Sequence, residues 1–196
     1  MGGIWTMGEL FVEVMRPTVD IPLDKPDLFR GPFPSGAPAI FADVAARLGA
    51  SSGIIGAVGH DAFGDLLMER LENDGVDTQC LQRLDGTTGV AFVAYEKGGD
   101  RSFIYHIDTT PAAKARFEPP KLTTPPAFFH VMGCSLMASE KLRAEILKAA
   151  VWFKEQGARI SFDPNIRPEL LRGRTITDIT GLEFLSGCSV ILPGIT

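Results

Sequence analysis

At 196 residues and 45% hydrophobic content, the chain is long enough to bury the core of a single domain. Its formal net charge of -5, with no clustering of Lys and Arg, excludes a nucleic-acid-binding surface, because phosphate backbones call for concentrated positive charge. No uninterrupted apolar run reaches the ~20 residues of a membrane span, and Met1-Gly2-Gly3-Ile4-Trp5-Thr6 lacks the basic start and apolar run of a secretory leader, so no membrane association is expected.

Residues Ile4 to Val14 mix β-branched, aromatic and Leu residues around Gly8-Glu9, which predicts a first strand with an internal break. From Pro17 to Pro34 there are five prolines, both ends included, and little periodicity, so extended edge structure or turns are expected there. Pro38 suits the first turn of a helix, where it has no N–H to lose, and Ala39, Ala42, Ala45, Ala46 and Leu48 continue a helix-forming run to Gly49. Ser52 to Val58 reads as a short apolar strand. Asp61 can cap the next helix, in which Phe63, Leu67 and Leu71 recur at helical spacing and Gly75 supplies the stop. This βαβα alternation favours a largely parallel sheet with helices on its faces.

The pattern changes between Thr87 and Ile107. Val90 to Tyr95 and Ser102 to Tyr105 are strand-like runs joined by Glu96-Lys97-Gly98-Gly99-Asp100-Arg101, which predicts an antiparallel hairpin. That hairpin is either an edge of the main sheet or a separate small sheet acting as a lid. After a Pro-rich connection from Pro111 to Pro126, alternation resumes with a strand at Ala127 to Met132. A helix begins at Ser139, with an apolar stripe of Leu142, Ile146, Ala149, Ala150 and Phe153, and stops at Gly157. Ala158 to Phe162 is the next strand and delivers Asp163 to its carboxyl edge. A helix near Thr177 to Leu185 and a strand from Ser189 to Leu192 follow.

In open α/β sheets, ligands bind beyond the carboxyl ends of the strands, which is where Asp163, Asn165 and Arg167 fall. A carboxylate, an amide and a guanidinium so close together can hold anions and hydroxyls, and Arg can grip a phosphate or carboxylate through two parallel hydrogen bonds. The alternative is a strand-end turn in which Asp163 caps backbone N–H groups and Pro164 fixes the bend. Around Gly59 and Asp61 the glycines allow tight turning and Asp61 can cap a helix, so these residues are assigned to the fold and only secondarily to a cleft. Cys80, Cys134 and Cys188 are an odd number at wide spacings without CxxC, which suggests neither a disulfide framework nor a zinc site and points to a reducing cytoplasm. His60 and His130 show no metal-ligand spacing with them and read as structural.

Three stretches taken in order, Ser35-Gly36-Ala37-Pro38-Ala39, Gly56-Ala57-Val58-Gly59-His60-Asp61-Ala62-Phe63-Gly64 and Asp163-Pro164-Asn165-Ile166-Arg167, resemble the ribokinase-like (PfkB) family of carbohydrate kinases. The resemblance implies an α/β fold, a mostly parallel sheet flanked by helices, with a small antiparallel β lid. Residues 1–196 would form a partial ribokinase-like domain, with lid segments at about 10–34 and 87–108. It implies a sugar as the small-molecule partner, ATP and Mg2+ as cofactors of the complete enzyme, and a homodimer through the lid. Carried over, the substrate-binding residues are Glu13, in a stretch similar to GExxVD, Gly36, Ala37, Ile40, Tyr105, His106 and Arg167, with Asp163, Asn165 and Arg167 on the phosphate and nucleotide side. Two departures stand out: Ser35 replaces a glycine of the GGAPAN-like motif and Ile40 replaces its asparagine. The FDPNIRP stretch is similar to members acting on 2-keto-3-deoxygluconate, so a keto sugar or sugar acid is the first expectation, with fructose and tagatose next. The family's GAGD motif, which carries the general base, is not in this sequence, so that base is expected beyond Thr196 and this chain alone is expected to be inactive. Ile191-Leu192-Pro193-Gly194-Ile195-Thr196 resembles the lead-in to an NxxE motif, with Gly194 at the asparagine. The alternative is a non-catalytic sugar-binding or regulatory module.

Overall fold

In the computed structural model, which describes residues 2–171 and 173–192, Ile4–Met7 (β1) lies inside a six-stranded sheet. Ser52–Gly59 (β4) and Asp77–Leu84 (β5) follow on one side of it. Phe128–Met132 (β8), Arg159–Asp163 (β9) and Val190–Ile191 (β10) follow on the other, and every pairing is parallel. Period-2 alternation sorts the side chains between the two faces. Ile54 and Val58 meet helices Ala37–Arg47 (α1) and Ala62–Asn73 (α2), whereas Ile55 and Ala57 join the cluster under helix Glu140–Glu155 (α4). In that cluster Phe153 stacks on Phe129 with ring centroids 4.6 Å apart and meets Trp5 at 5.9 Å. Leu142, Ile146, Phe129 and Phe153 are all fully buried, and each contributes roughly 1.5–3 kcal/mol of hydrophobic stabilisation. Among the described residues no helix is long and apolar enough to cross a membrane.

The first strand does break at Gly8-Glu9, and the break takes the chain out of one sheet into another. Phe11–Met15 (β2), Arg30–Ser35 (β3), Gly89–Tyr95 (β6) and Arg101–His106 (β7) form a separate four-stranded sheet in the order β3-β2-β6-β7. The hairpin is therefore not an edge of the main sheet. Two of its pairings are antiparallel, but β2 and β6 run parallel, so the expected antiparallel lid is a mixed sheet. The cause is geometric: β1 and β5 point the same way, and β2 and β6 are their continuations. The Pro-rich loop between β2 and β3 is gathered by the buried Arg16. Its guanidinium donates to the carbonyls of Pro22, Lys25 and Leu28 and lies 4.0 Å from the Phe29 ring centroid.

Asp61 ties this lid to the core. As the N-cap of α2 it accepts from the Gly64 N–H at 2.8 Å, and it also accepts from the backbone N–H and hydroxyl of Thr88, both at 2.7 Å, just before β6. Burial opposes ionisation, yet these hydrogen bonds hold the carboxyl below its ordinary pKa. Asp61→Ala is expected to lower stability by about 1–2 kcal/mol, the range for losing a cap, and to speed hydrogen exchange at the Thr88 amide. A urea midpoint equal to that of the parent would reject the tie.

Several elements depart from the sequence reading. Strand β5 was not expected because Asp77, Gln79, Gln82 and Arg83 make it an edge strand with a polar pattern. Gly133–Ala138 (α3) is a short helix, buried throughout, between β8 and α4. The helix expected near Thr177 to Leu185 is two turns, Ile176–Thr180 (α6) and Leu182–Ser186 (α7), separated at Gly181, whose φ of 75° a continuous helix cannot contain.

Candidate functional site

The chain leaves β1 toward β4 on one side and returns to it through β8 on the other, so the strand order reverses at β1. Such a switch point opens a crevice at the carboxyl ends of the strands, where open α/β sheets bind ligands. Three segments emerge there: Gly8-Glu9 after β1, α3 after β8, and the turn from Asp163 to Arg167 after β9. The lid sheet stands over them and closes a cleft of about 140 Å³.

Each wall of the cleft comes from a different element. Phe11 and Glu13 project from β2, with Glu9 on the same parity below them, and Ser35, Ala37 and Ile40 come from the end of β3 and the start of α1. Strand β7 contributes alternate residues, Arg101, Phe103 and Tyr105, continued by Ile107. Cys134 of α3, Arg167 and Leu170, the last on the single helical turn Pro168–Leu171 (α5), complete the lining. Phe103 and Tyr105 stack with ring centroids 5.1 Å apart, and Phe11 meets Tyr105 edge-on at 6.2 Å. Burial pushes the Tyr105 phenol well above its usual pKa, opposed by the Arg167 charge, so Tyr105 is a neutral hydroxyl at working pH.

Of the residues named from sequence, Glu13, Ala37, Ile40, Tyr105 and Arg167 share this cleft. Gly36 sits in its wall between Ser35 and Ala37 as the N-cap of α1, with φ 108°. His106 does not reach it. One residue beyond Tyr105 on a strand, it points to the outer face of the lid, where it is exposed and meets Phe92 edge-on at 5.9 Å. Asp163 and Asn165 also lie outside the lining. The Asp163 carboxylate accepts from the Asn165 backbone N–H at 2.8 Å and faces its amide at 3.5 Å, which makes a strand-end turn. Asn165 instead borders an adjoining groove along α1, shared with Ala37, Ile40 and Arg167. Among the described residues no cluster of His, Cys, Asp or Glu side chains is grouped to hold a metal ion, whereas the Arg167 guanidinium fits a phosphoryl or carboxylate oxygen. The NxxE-like stretch from Pro193 to Thr196 lies outside the described residues.

Sequence reasoning missed Glu9, Phe103 and Cys134 as wall residues and used Arg101 only as part of a turn. A period-2 count would have found two of these sets, since 9, 11 and 13 share one face and 101, 103 and 105 another. Two guanidinium groups, one carboxylate on a strand and a stacked aromatic pair suit a small polyhydroxylated molecule, with polar groups fixing hydroxyls and rings covering its apolar face.

A family model described as pfkB family carbohydrate kinase matches residues 32–195. A fructokinase of Solanum tuberosum is 31% identical over 203 residues, covering 97% of this chain and 62% of its own length. One of Klebsiella pneumoniae is 34% identical, covering 86% and 52%. Among solved structures, an Escherichia coli protein described as ribokinase II, in complex with ATP and Mg2+, superposes with a TM-score of 0.80 at 38% identity. That match covers 98% of this chain and 62% of the other. A Xylella fastidiosa fructokinase gives 0.79 at 28% identity, covering 96% and 58%. The chain spans about half the length of the curated relatives it matches, from 49% to 62%. With the family model covering most of the chain, the chain belongs to the pfkB family of carbohydrate kinases.

Proposed function

We propose that the cleft binds a sugar as the acceptor of a phosphoryl group from ATP, with a keto sugar or sugar acid as the substrate class. The observation that carries this is the convergence of Glu13, Ala37, Tyr105 and Arg167, from four separate elements, on one cleft at the switch point. Fructokinase relatives at 31% and 34% identity favour a keto sugar. Arg101 and Arg167, both lining the cleft, favour an acceptor that also carries a carboxylate. Glu13 accepts hydrogen bonds from sugar hydroxyls, the Phe103–Tyr105 stack covers the ring or chain, and Arg167 holds an anionic group. ATP, with magnesium, supplies the phosphoryl group when bound; the residues described here orient the acceptor and exclude water from it. We assign the general base to none of these residues, so the 196-residue chain is expected to bind sugar without turnover.

Calorimetry of the chain with D-fructose, D-tagatose and 2-keto-3-deoxygluconate tests the reading. Binding of at least one is expected, and Tyr105→Ala is expected to weaken it about tenfold, the cost of losing a packed aromatic face. Arg167→Gln is expected to weaken 2-keto-3-deoxygluconate more than fructose. Absence of heat with every sugar overturns the cleft assignment, and sustained ATP consumption with any of them overturns the absence of a base. We also propose a homodimer through the lid, whose strands β3 and β7 are open edges; light scattering showing only monomer rejects it.

A further inference from the structure

Resting on the sugar-cleft reading, the geometry points to Glu9 as a specificity-determining residue whose protonated carboxyl donates a hydrogen bond to an oxygen of the bound sugar. Glu9 is 3% exposed and sits where β1 ends and the lid begins, at the floor of the cleft. One carboxyl oxygen, Oε1, is 3.6 Å from the Cys134 thiol, which donates to it. The other, Oε2, is buried without a hydrogen-bond partner among the described residues. The Ser135 hydroxyl lies close enough to temper the titration of Glu9, yet it does not align as a hydrogen bond and is itself buried and unmatched.

A buried carboxylate with one bare oxygen and no ion pair is strongly disfavoured, so the group keeps its proton. Burial raises its pKa above the ordinary value, and the nearby hydrogen bonds and the Arg167 charge offset this only in part. The other charged or titratable groups facing the cleft are Cys134, Glu13, Arg101, Tyr105 and Arg167. A protonated carboxyl is a donor as well as an acceptor, and a buried donor left unmatched costs about 1–3 kcal/mol. An acceptor oxygen on the ligand removes that penalty. Two carboxyls on one strand face then play opposite parts: Glu13, nearer solvent, receives from hydroxyls, and Glu9, at the floor, donates. A ligand lacking an acceptor at the floor forfeits that bond, which is how the position selects among sugars.

Calorimetry with D-fructose and 2-keto-3-deoxygluconate on the parent chain, Glu9→Gln and Glu9→Ala decides the matter, with thermal unfolding of each to confirm folding. Gln keeps a donor at that place, so binding is expected to weaken by less than about threefold, whereas Ala is expected to weaken it about tenfold or more. Parent-like binding by Glu9→Ala overturns the assignment to Glu9 while leaving the sugar cleft standing. Loss by Glu9→Gln as large as by Glu9→Ala overturns the donor role. No binding by the parent chain overturns the cleft reading and the assignment to Glu9 with it. If Glu9→Ala does not fold, Glu9→Gln and the carboxyl 13C titration of Glu9 in the sugar-free parent decide: a pKa at or below the ordinary 4.5 overturns the proposal.

Discussion

Gly36→Ala is expected to lower stability by about 4 kcal/mol and to abolish sugar binding. Gly36 holds φ 108° and ψ 121°, a conformation that costs a side-chain-bearing residue roughly 1–3 kcal/mol. A Cβ there would also run into the Glu9 carbonyl oxygen and come within 3.2 Å of Leu10 Cα, both backbone atoms that cannot swing aside. Overpacking of this kind adds roughly 1–3 kcal/mol. The obstructed segment is the junction between β1 of the core and β2 of the lid, and Gly36 itself starts α1, so relief must move the lid against the core and reshape the cleft. Gly49→Ala is the control: it also has positive φ, 87°, but its Cβ would meet nothing within 4 Å. Urea unfolding should therefore show about 1 kcal/mol for Gly49→Ala, from strain alone. A loss at Gly36 no larger than at Gly49 would show that contact with Glu9 does not fix the lid.

The same contrast between local and long-range causes explains what the chain reveals before it folds. The α/β alternation was legible because its helices carry their own punctuation: Asp61 and Ser139 cap α2 and α4 as their residue types predict, and apolar spacing marks the buried faces. Strand β5 was not legible, because an edge strand needs only one covered face and its sequence is mostly polar. The cleft was legible where a motif named a residue, as at Ala37 and Arg167. It was not where strand parity decided, so Tyr105 lines the cleft and its neighbour His106 does not. Glu9 was hidden for a further reason: Gly8-Glu9 reads as an interruption of a strand, and only the crossing from one sheet to the other turns that interruption into a floor. Asp163 shows the converse, a residue whose motif suggests a ligand but whose carboxylate is engaged by its own turn.

Acidification should destabilise this protein through His130. His130 is 1% exposed on β8, stacked on Phe41 of α1 with ring centroids 4.0 Å apart, and its Nδ1 lies 2.8 Å from the Ser161 hydroxyl on β9. Its Nε2 is buried with no partner among the described residues. Burial pushes its pKa down from 6.5 to about 4, and the Asp163 charge opposes this only weakly. The folded state therefore holds the ring neutral while the unfolded chain takes up a proton near pH 6.5. The stabilisation is complete above pH 6.5 and is lost as pH falls toward 4, reaching about 3 kcal/mol for a shift of this size. Glu9 works in the other direction: its raised pKa means that the unfolded chain releases a proton from pH 4.5 upward while the folded one retains it, so stability falls as pH rises through that range. The two slopes oppose each other in the parent where they overlap above pH 4.5, and the histidine contribution emerges as a difference. His130→Gln removes the titration but leaves Glu9 in place, so the gap in unfolding free energy between the two proteins should shrink by about 3 kcal/mol from pH 7 to pH 4. A gap that stays constant over that interval would mean that the ring accepts its proton inside the fold at an ordinary pH, and that the strand β8 position tolerates charge.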